Sequence, residues 1–363
     1  MNEQIFKFLN NLPKEEGNAK VDAAVIYSNV NRFYLTGFKS SDGVVIITRN
    51  NSYLLVDFRY YEIAKKTVEN FEVILVNNFK NSIKDIIKKE NLKGILLEFE
   101  KLTLSVAKNL EAIINECGAT AIISSTLDNI LSSIRIIKTK KEVEKIKISQ
   151  QIAEAAFDFV LPRIVPGIRE KDVALDLEFF MRKNGASSSA FDIIVVSGKN
   201  SSLPHGEPSD KAIEEGEFVT IDIGAVYKGY NSDMTRTIAI GEITDRQKEV
   251  YNTVLKAQNA ALDILKPGVR CSDVDKVARD IIYNAGFEGC FGHSLGHGVG
   301  LEVHESPSLS PKNMELLKPG MVVTVEPGIY IKNDFGVRIE DMVLINDSGY
   351  KNFTNIKKDL III

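Results

Sequence analysis

Apolar and polar positions alternate in short blocks along the first third of the chain. The runs 24-AVIYS-28, 43-GVVIIT-48, 52-SYLLVD-57, 72-EVILVN-77 and 94-GILLEF-99 are brief and rich in β-branched residues, and they predict strands. Between and after them the period changes. Lys80–Glu90 and Leu104–Glu116 repeat apolar residues every three or four positions, which predicts amphipathic helices. Gly118 falls where a helix C-terminal turn calls for a left-handed residue. The pattern describes a small α/β domain without a glycine-rich phosphate loop. The stretch 31-NRFYLTGF-38 is polar and turn-rich and predicts an ordinary loop. The next segment, 138-KTKKEVEKIKI-148, predicts a charged helix with a solvated face. The domain boundary is placed just before it, giving residues 1–132 and 133–363.

The second part repeats itself. Pro166-Gly167-Ile168-Arg169-x-x-Asp172-Val173 returns as Pro267-Gly268-Val269-Arg270-x-x-Asp273-Val274, and each copy opens a helical pattern ending near a glycine, Gly185 and Gly286. His205-Gly-Glu-Pro208-Ser209 returns as His304-Glu-Ser-Pro307-Ser308. Gly216-Glu-Phe-Val-Thr220-Ile-Asp222-Ile-Gly224 returns as Gly320-Met-Val-Val-Thr324-Val-Glu326-Pro-Gly328. Three matches in one order, about 100 residues apart, mark a duplicated architecture. The two halves are expected to pack about a pseudo-two-fold axis, with matching residues facing each other across it.

That symmetry selects the candidate chemistry. Asp222 and Glu326 are repeat mates in β-rich runs, and a second carboxylate follows each, Asp233 and Glu340. Four ionised carboxylates cannot share a buried pocket without positive charge. Arg236 and Arg338 could neutralise part of it, and two divalent cations would neutralise all of it. An oxygen-rich set with imidazole suits Mn, Co or Fe. All four histidines of the chain, His205, His293, His297 and His304, fall beside these runs. His293 and His297 are four apart, but the glycines at 292, 296, 298 and 300 argue against a long helix, so only one of the two is expected to ligate. The mates His205 and His304 are expected to flank the site as hydrogen-bond or proton-transfer groups. A serine nucleophile is excluded, since no GxSxG occurs and three carboxylates would go unexplained.

Composition narrows the class further. The 363 residues are 44% hydrophobic and 26% charged, which excludes a disordered or fibrous chain. A net charge of −4 argues against nucleic-acid binding, and no apolar run is long enough to span a membrane. The N-terminus lacks a signal pattern, and three cysteines without CxxC spacing suit a reducing cytoplasm.

The stretches 216-GEFVTIDIGAVYKGYNSDMTRT-237, 291-FGHSLGHGVGLEVHE-305, 323-VTVEPGIY-330 and 336-GVRIEDMVLI-345 resemble the pita-bread metallopeptidases, the family of methionine aminopeptidase, aminopeptidase P and prolidase. The first third resembles the N-terminal domain of the proline-specific branch, including its NRFYLTGF stretch. The resemblance implies a creatinase-like α/β domain followed by a pseudo-two-fold catalytic domain. It implies metal ligands Asp222, Asp233, His297, Glu326 and Glu340, with Asp233 and Glu340 bridging two ions that share a hydroxide. Mn or Co is expected, with Zn or Fe as alternatives. Glu326 would be the general base or acid and His304 would bond the scissile carbonyl. His205 and His293 would line the substrate site, with Tyr330 and Arg338 as supports. The extra N-terminal domain points away from methionine aminopeptidase, and the complete ligand set points away from creatinase. The expected substrate is an Xaa-Pro dipeptide or short peptide. The compact first domain and the lone Gly292-His293 pair look more like short microbial prolidases. Aminopeptidase P is the alternative, and a metal-free binding module the remote one. A homodimer is implied by the resemblance alone.

Overall fold

A computed structural model describes residues 3–363. The expected first domain begins at residue 1, and its first two residues lie outside the described residues. The chain divides into two compact units, the first ending at Arg135 and the second spanning Ile136–Ile363.

In the first unit six strands form one mixed sheet, in the order 72–75, 52–56, 44–48, 23–26, 94–97, 120–123. The three central strands are antiparallel neighbours, and each flank adds parallel strands. The strands Ala23–Ile26, Val44–Thr48 and Gly94–Leu97 are buried along their whole length. That explains their unbroken apolar runs, since helices cover both faces of such a sheet. The predicted helices are present as Phe79–Lys89 and Leu104–Asn115.

The expected loop at 31–38 is a helix, Asn29–Thr36, closed by Gly37 at φ 68°. Its polar residues misled the sequence reading because they are buried and paired. Glu98, fully buried, accepts hydrogen bonds from the backbone of Tyr27 and Ser28 and from the Asn31 amide. Arg135 donates to the side-chain oxygen of Asn31, Oδ1.

The second unit shows the expected duplication. Helices Lys140–Val160 and Glu170–Lys183 correspond to Asp245–Asp263 and Cys271–Asn284. Both longer helices begin with a capping box, Thr139 with Glu142 and Thr244 with Gln247. Both shorter ones are followed by glycines at positive φ, Gly185 at 105° and Gly286 at 90°. Behind them lie matching antiparallel triplets. Strand Phe218–Ile223 pairs with Ile194–Ser197 and Met234–Ala239, and strand Val322–Val325 pairs with Gly296–Gly298 and Asp341–Ile345. Even the straps recur: Gly167 N–H donates to Ile213 O, and Gly268 N–H to Leu317 O. Each half carries its own apolar cluster, one around Phe157, Leu177 and Ile221, the other around Val254, Ile282 and Val323.

The charged segment 138–148 is not a solvated face throughout. Lys138, Glu142 and Ile146 are buried. Glu142 accepts from the Tyr230 hydroxyl as well as capping its helix, and Lys138 pairs with Glu305 at 3.3 Å. Burial of one charged row is invisible to a charge count because each charge has its partner far along the chain.

Candidate metal and peptidase centre

Strand pairing puts the four carboxylates together. Asp222 is near the end of strand Phe218–Ile223, opposite Thr235 on the neighbouring strand. Glu326 follows strand Val322–Val325 directly. Asp233 and Glu340 each lie one residue ahead of a strand, Met234–Ala239 and Asp341–Ile345. All four line one cavity of about 570 Å³, together with His205, His293, His297, His304 and Arg338. Tyr330 stands behind that wall, its hydroxyl 2.9 Å from His293 Nε2.

His297 is carried by the strand Gly296–Gly298, squeezed between two others. A Cβ on Gly296 would stand 2.0 Å from the Thr324 carbonyl oxygen, so the close approach demands glycine. The ring Nε2 is 3.2 Å from Glu326 Oε1 and 3.6 Å from Asp233 Oδ2, and Nδ1 is 3.1 Å from Gly298 O. His293, by contrast, spends both ring nitrogens elsewhere, on Tyr330 and on Ser294 O at 2.8 Å. The rings of His297 and His304 are 4.3 Å apart.

Arg338 ties the halves. It donates to Asp222 Oδ2 at 2.6 Å, to Tyr330 at 2.8 Å, to Pro204 O at 3.0 Å and to Thr235 Oγ1 at 3.1 Å. Arg236, the other expected neutralising group, turns away and pairs with Asp341. Two threonines escaped the sequence reading. Thr235 donates to Glu340 Oε2 at 2.8 Å and Thr324 to Glu326 Oε1 at 3.1 Å. Each is two positions from a carboxylate, Asp233 or Glu326, and the two-residue period of a strand was the signal that marks them.

Burial and mutual repulsion shape the electrostatics of this cluster. Burial, together with the neighbouring Asp222 charge, pushes Asp233 well above the usual carboxylate range. Burial and the charges of Asp233, Glu326 and Asp222 do the same to Glu340. Burial raises Asp222 too, against the pull of Arg338. His297 is opposed by burial but lifted to about 9 by the hydrogen bond and charge of Glu326 and by Asp233. Burial opposes ionisation of Glu326 as well, yet its bond to His297 holds it below the usual range. Burial and the nearby His297 lower His304, which therefore stays neutral at ordinary pH.

The donor set fits divalent cations. Asp233, His297 and Glu340 offer ligand atoms within 4.8 Å of one another. Asp222 Oδ1 and Glu340 Oε1 are buried with no hydrogen-bond partner, a state that proteins avoid unless another group completes it. Such a donor set, lining a cavity on a duplicated α/β frame, marks the class of metal-binding proteins.

Comparison with known proteins is more specific. Residues 144–347 match the model of metallopeptidase family M24, and residues 9–137 match the creatinase/prolidase N-terminal domain. An Xaa-Pro dipeptidase of Pyrococcus horikoshii is 40% identical over 364 residues, covering 99% of both chains. The structure of an Xaa-Pro dipeptidase from Bacillus anthracis superposes with a TM-score of 0.94 at 41% identity, covering 99% of each chain. That of an X-Pro aminopeptidase from Thermotoga maritima does so with 0.89 at 39%, covering 94% of this chain and 97% of the other. The chain belongs to metallopeptidase family M24.

Proposed function

We propose that the protein is an Xaa-Pro dipeptidase, a prolidase, acting with two divalent cations, Mn2+ or Co2+, held by Asp222, Asp233, His297, Glu326 and Glu340. The observation that carries the reading is the cluster of three buried carboxylates, the half-buried Glu326 and one imidazole, with two acceptor atoms unpartnered, facing a cavity that three further histidines line. Full-length similarity to Xaa-Pro dipeptidases supports the substrate. The cavity volume lies within the usual range for small-ligand sites, about 300–1,000 Å³. Bound cations would supply Lewis acidity toward the carbonyl and a water acidic enough to react at neutral pH.

The chain's own groups do the rest. Glu326 takes the proton of the attacking water and returns it to the departing nitrogen. That nitrogen belongs to proline, so the scissile amide carries no N–H and the nitrogen must gain a proton as the bond breaks. His304, neutral, donates to the carbonyl oxygen as negative charge grows there. Arg338 favours the ionised form of Asp222 and orients it, and Tyr330 fixes the His293 ring. A second reading, removal of the first residue from longer Xaa-Pro peptides, is supported by the likeness to the Thermotoga maritima aminopeptidase.

Metal-stripped protein given Mn2+ or Co2+ should cleave Ala-Pro faster than Ala-Pro-Ala. The reverse preference would make it an aminopeptidase, and activity surviving chelators would end the metal reading. The same proposal includes a homodimer, checked by sedimentation. It also includes a cytoplasmic location, supported by free Cys117, Cys271 and Cys290. Among the described residues no helix is long and apolar enough to cross a membrane.

A further inference from the structure

We propose that Glu170 is a positioning residue that sets the loop bearing His205 and acts on the reaction only through His205; the inference rests on the function read above. Glu170 opens helix Glu170–Lys183 and is fully buried. Its Oε1 accepts from Ser197 N–H at 2.6 Å and from the Ser197 hydroxyl at 2.8 Å. Its Oε2 accepts from Ser209 N–H at 3.0 Å and from the Ser209 hydroxyl at 2.6 Å. The Asn200 amide reaches both oxygens, at 3.2 and 3.1 Å. One carboxylate therefore fastens both ends and the interior of the segment 197–209.

His205 sits between those ends on the cavity wall. It is exposed, and its ring makes no hydrogen bond among the described residues. Its place is set by the backbone that carries it. Two hydrogen bonds hold the loop from the opposite half: Arg338 to Pro204 O, and Gly336 N–H to the Ser201 hydroxyl at 2.9 Å.

The duplicated half shows that the fold does not need this carboxylate. The matching helix opens with Cys271, also fully buried. Its backbone makes the same strap without an acid: Cys271 N–H to Glu315 O and Ser272 N–H to Asn313 O, as Glu170 N–H to Lys211 O and Lys171 N–H to Ser209 O. Glu170 is thus an addition to a frame that closes without it, and what it adds is a clamp on the loop of His205.

Glu170→Gln tests this with almost no change of shape. The two backbone N–H donors end on different oxygens, and glutamine offers only one acceptor oxygen. One of the two backbone N–H groups must lose its carboxylate acceptor. The variant should show faster hydrogen exchange across residues 198–209 and unchanged exchange in strand Phe218–Ile223. With the holoenzyme and Ala-Pro, kcat should fall about tenfold, a coupling ordinary for groups in one network. In a His205→Ala background the same change should cost less than about twofold, because the group it positions is gone. Should Glu170→Gln fail to fold, Ser209→Ala removes one hydroxyl donor to Glu170, along with the acceptor of the Asn200 amide and of Lys211 N–H, and should show a smaller loss that also vanishes in the His205→Ala background. Equal losses in both backgrounds, or unchanged loop exchange, would overturn the proposal. If the unmodified protein does not cleave Ala-Pro, the function reading fails, and loop exchange alone decides the role of Glu170.

Discussion

Arg236→Met should destabilise the second unit strongly, and the structure sets the scale. The Arg236 side chain is 1% exposed and that of its partner Asp341 is 0%. The guanidinium donates to Asp341 Oδ1 at 2.8 Å and to four carbonyl oxygens, those of Thr235, Glu340, Ile356 and Lys357. Methionine fills similar space but donates nothing. Asp341 would keep Lys358 at 3.2 Å and the Asn352 amide at 2.8 Å. Removing one partner of a buried pair costs about 3–5 kcal/mol, and the remaining lysine places this case near the lower end. For a unit spanning Ile136–Ile363, each kcal/mol moves the melting midpoint by about 2–4 °C, so a drop of about 6–12 °C is expected. The pH dependence has a definite sign. Burial raises the Asp341 pKa, but Arg236 and Lys358 outweigh it and hold the group below its ordinary value. A depressed pKa contributes stability above the unfolded value of about 3.9 and loses it as pH falls through the folded value. The gap between wild type and variant should therefore narrow as pH drops below about 4. Thermal unfolding followed by circular dichroism from neutral to acid pH measures both effects. A midpoint shift under about 2 °C at neutral pH, or a gap that widens in acid, would refute the account.

Two further outcomes follow from the centre. His297→Ala should lose both Mn2+ binding and turnover, whereas His304→Ala should keep binding by calorimetry and lose turnover by about 10²–10³, the worth of one transition-state hydrogen bond. Restoration of the His304 variant to full rate by excess Mn2+ would make it a ligand instead. Because Asp233 and Glu340 hold protons well above the usual range, cation binding should release protons and tighten as pH rises. Titrations in buffers of different ionisation enthalpy measure the release, and an affinity independent of pH would contradict the assigned ligands.

The parts legible in the sequence were those with a period. Five of the six strands in the large sheet of the first unit showed as short β-rich runs, Thr120–Ile123 being missed, while the paired helices of the second unit and the repeat that aligns Asp222 with Glu326 recur about 100 residues apart. What escaped was polar structure whose partners lie far along the chain. The helix Asn29–Thr36 read as a loop because its buried polar residues answer to Glu98, about 70 residues away. Lys138 and Glu142 read as solvated although Glu305 and Tyr230 receive them. Arg236 read as a neutralising group for the centre, yet its carboxylate partner is Asp341, the neighbour of the expected one. Local spacing reports which face of an element is apolar, and it says nothing of a charge matched by another charge a hundred positions on.

The ties across the pseudo-axis have a consequence for how the protein assembles. Thr235 meets Glu340, and Arg338 meets Asp222, over separations of 105 and 116 residues. Each half has an apolar nucleus of its own and local helices to build it from, so each can collapse early. The centre exists only after both have formed and the long loop between them has closed. Contacts of such sequence separation form late in folding because loop closure must precede any gain from them. Cation affinity is accordingly a property of the finished molecule, absent from either half alone. A bound cation then acts by mass action as a latch on their docking, favouring the joined state by an amount that grows with its concentration.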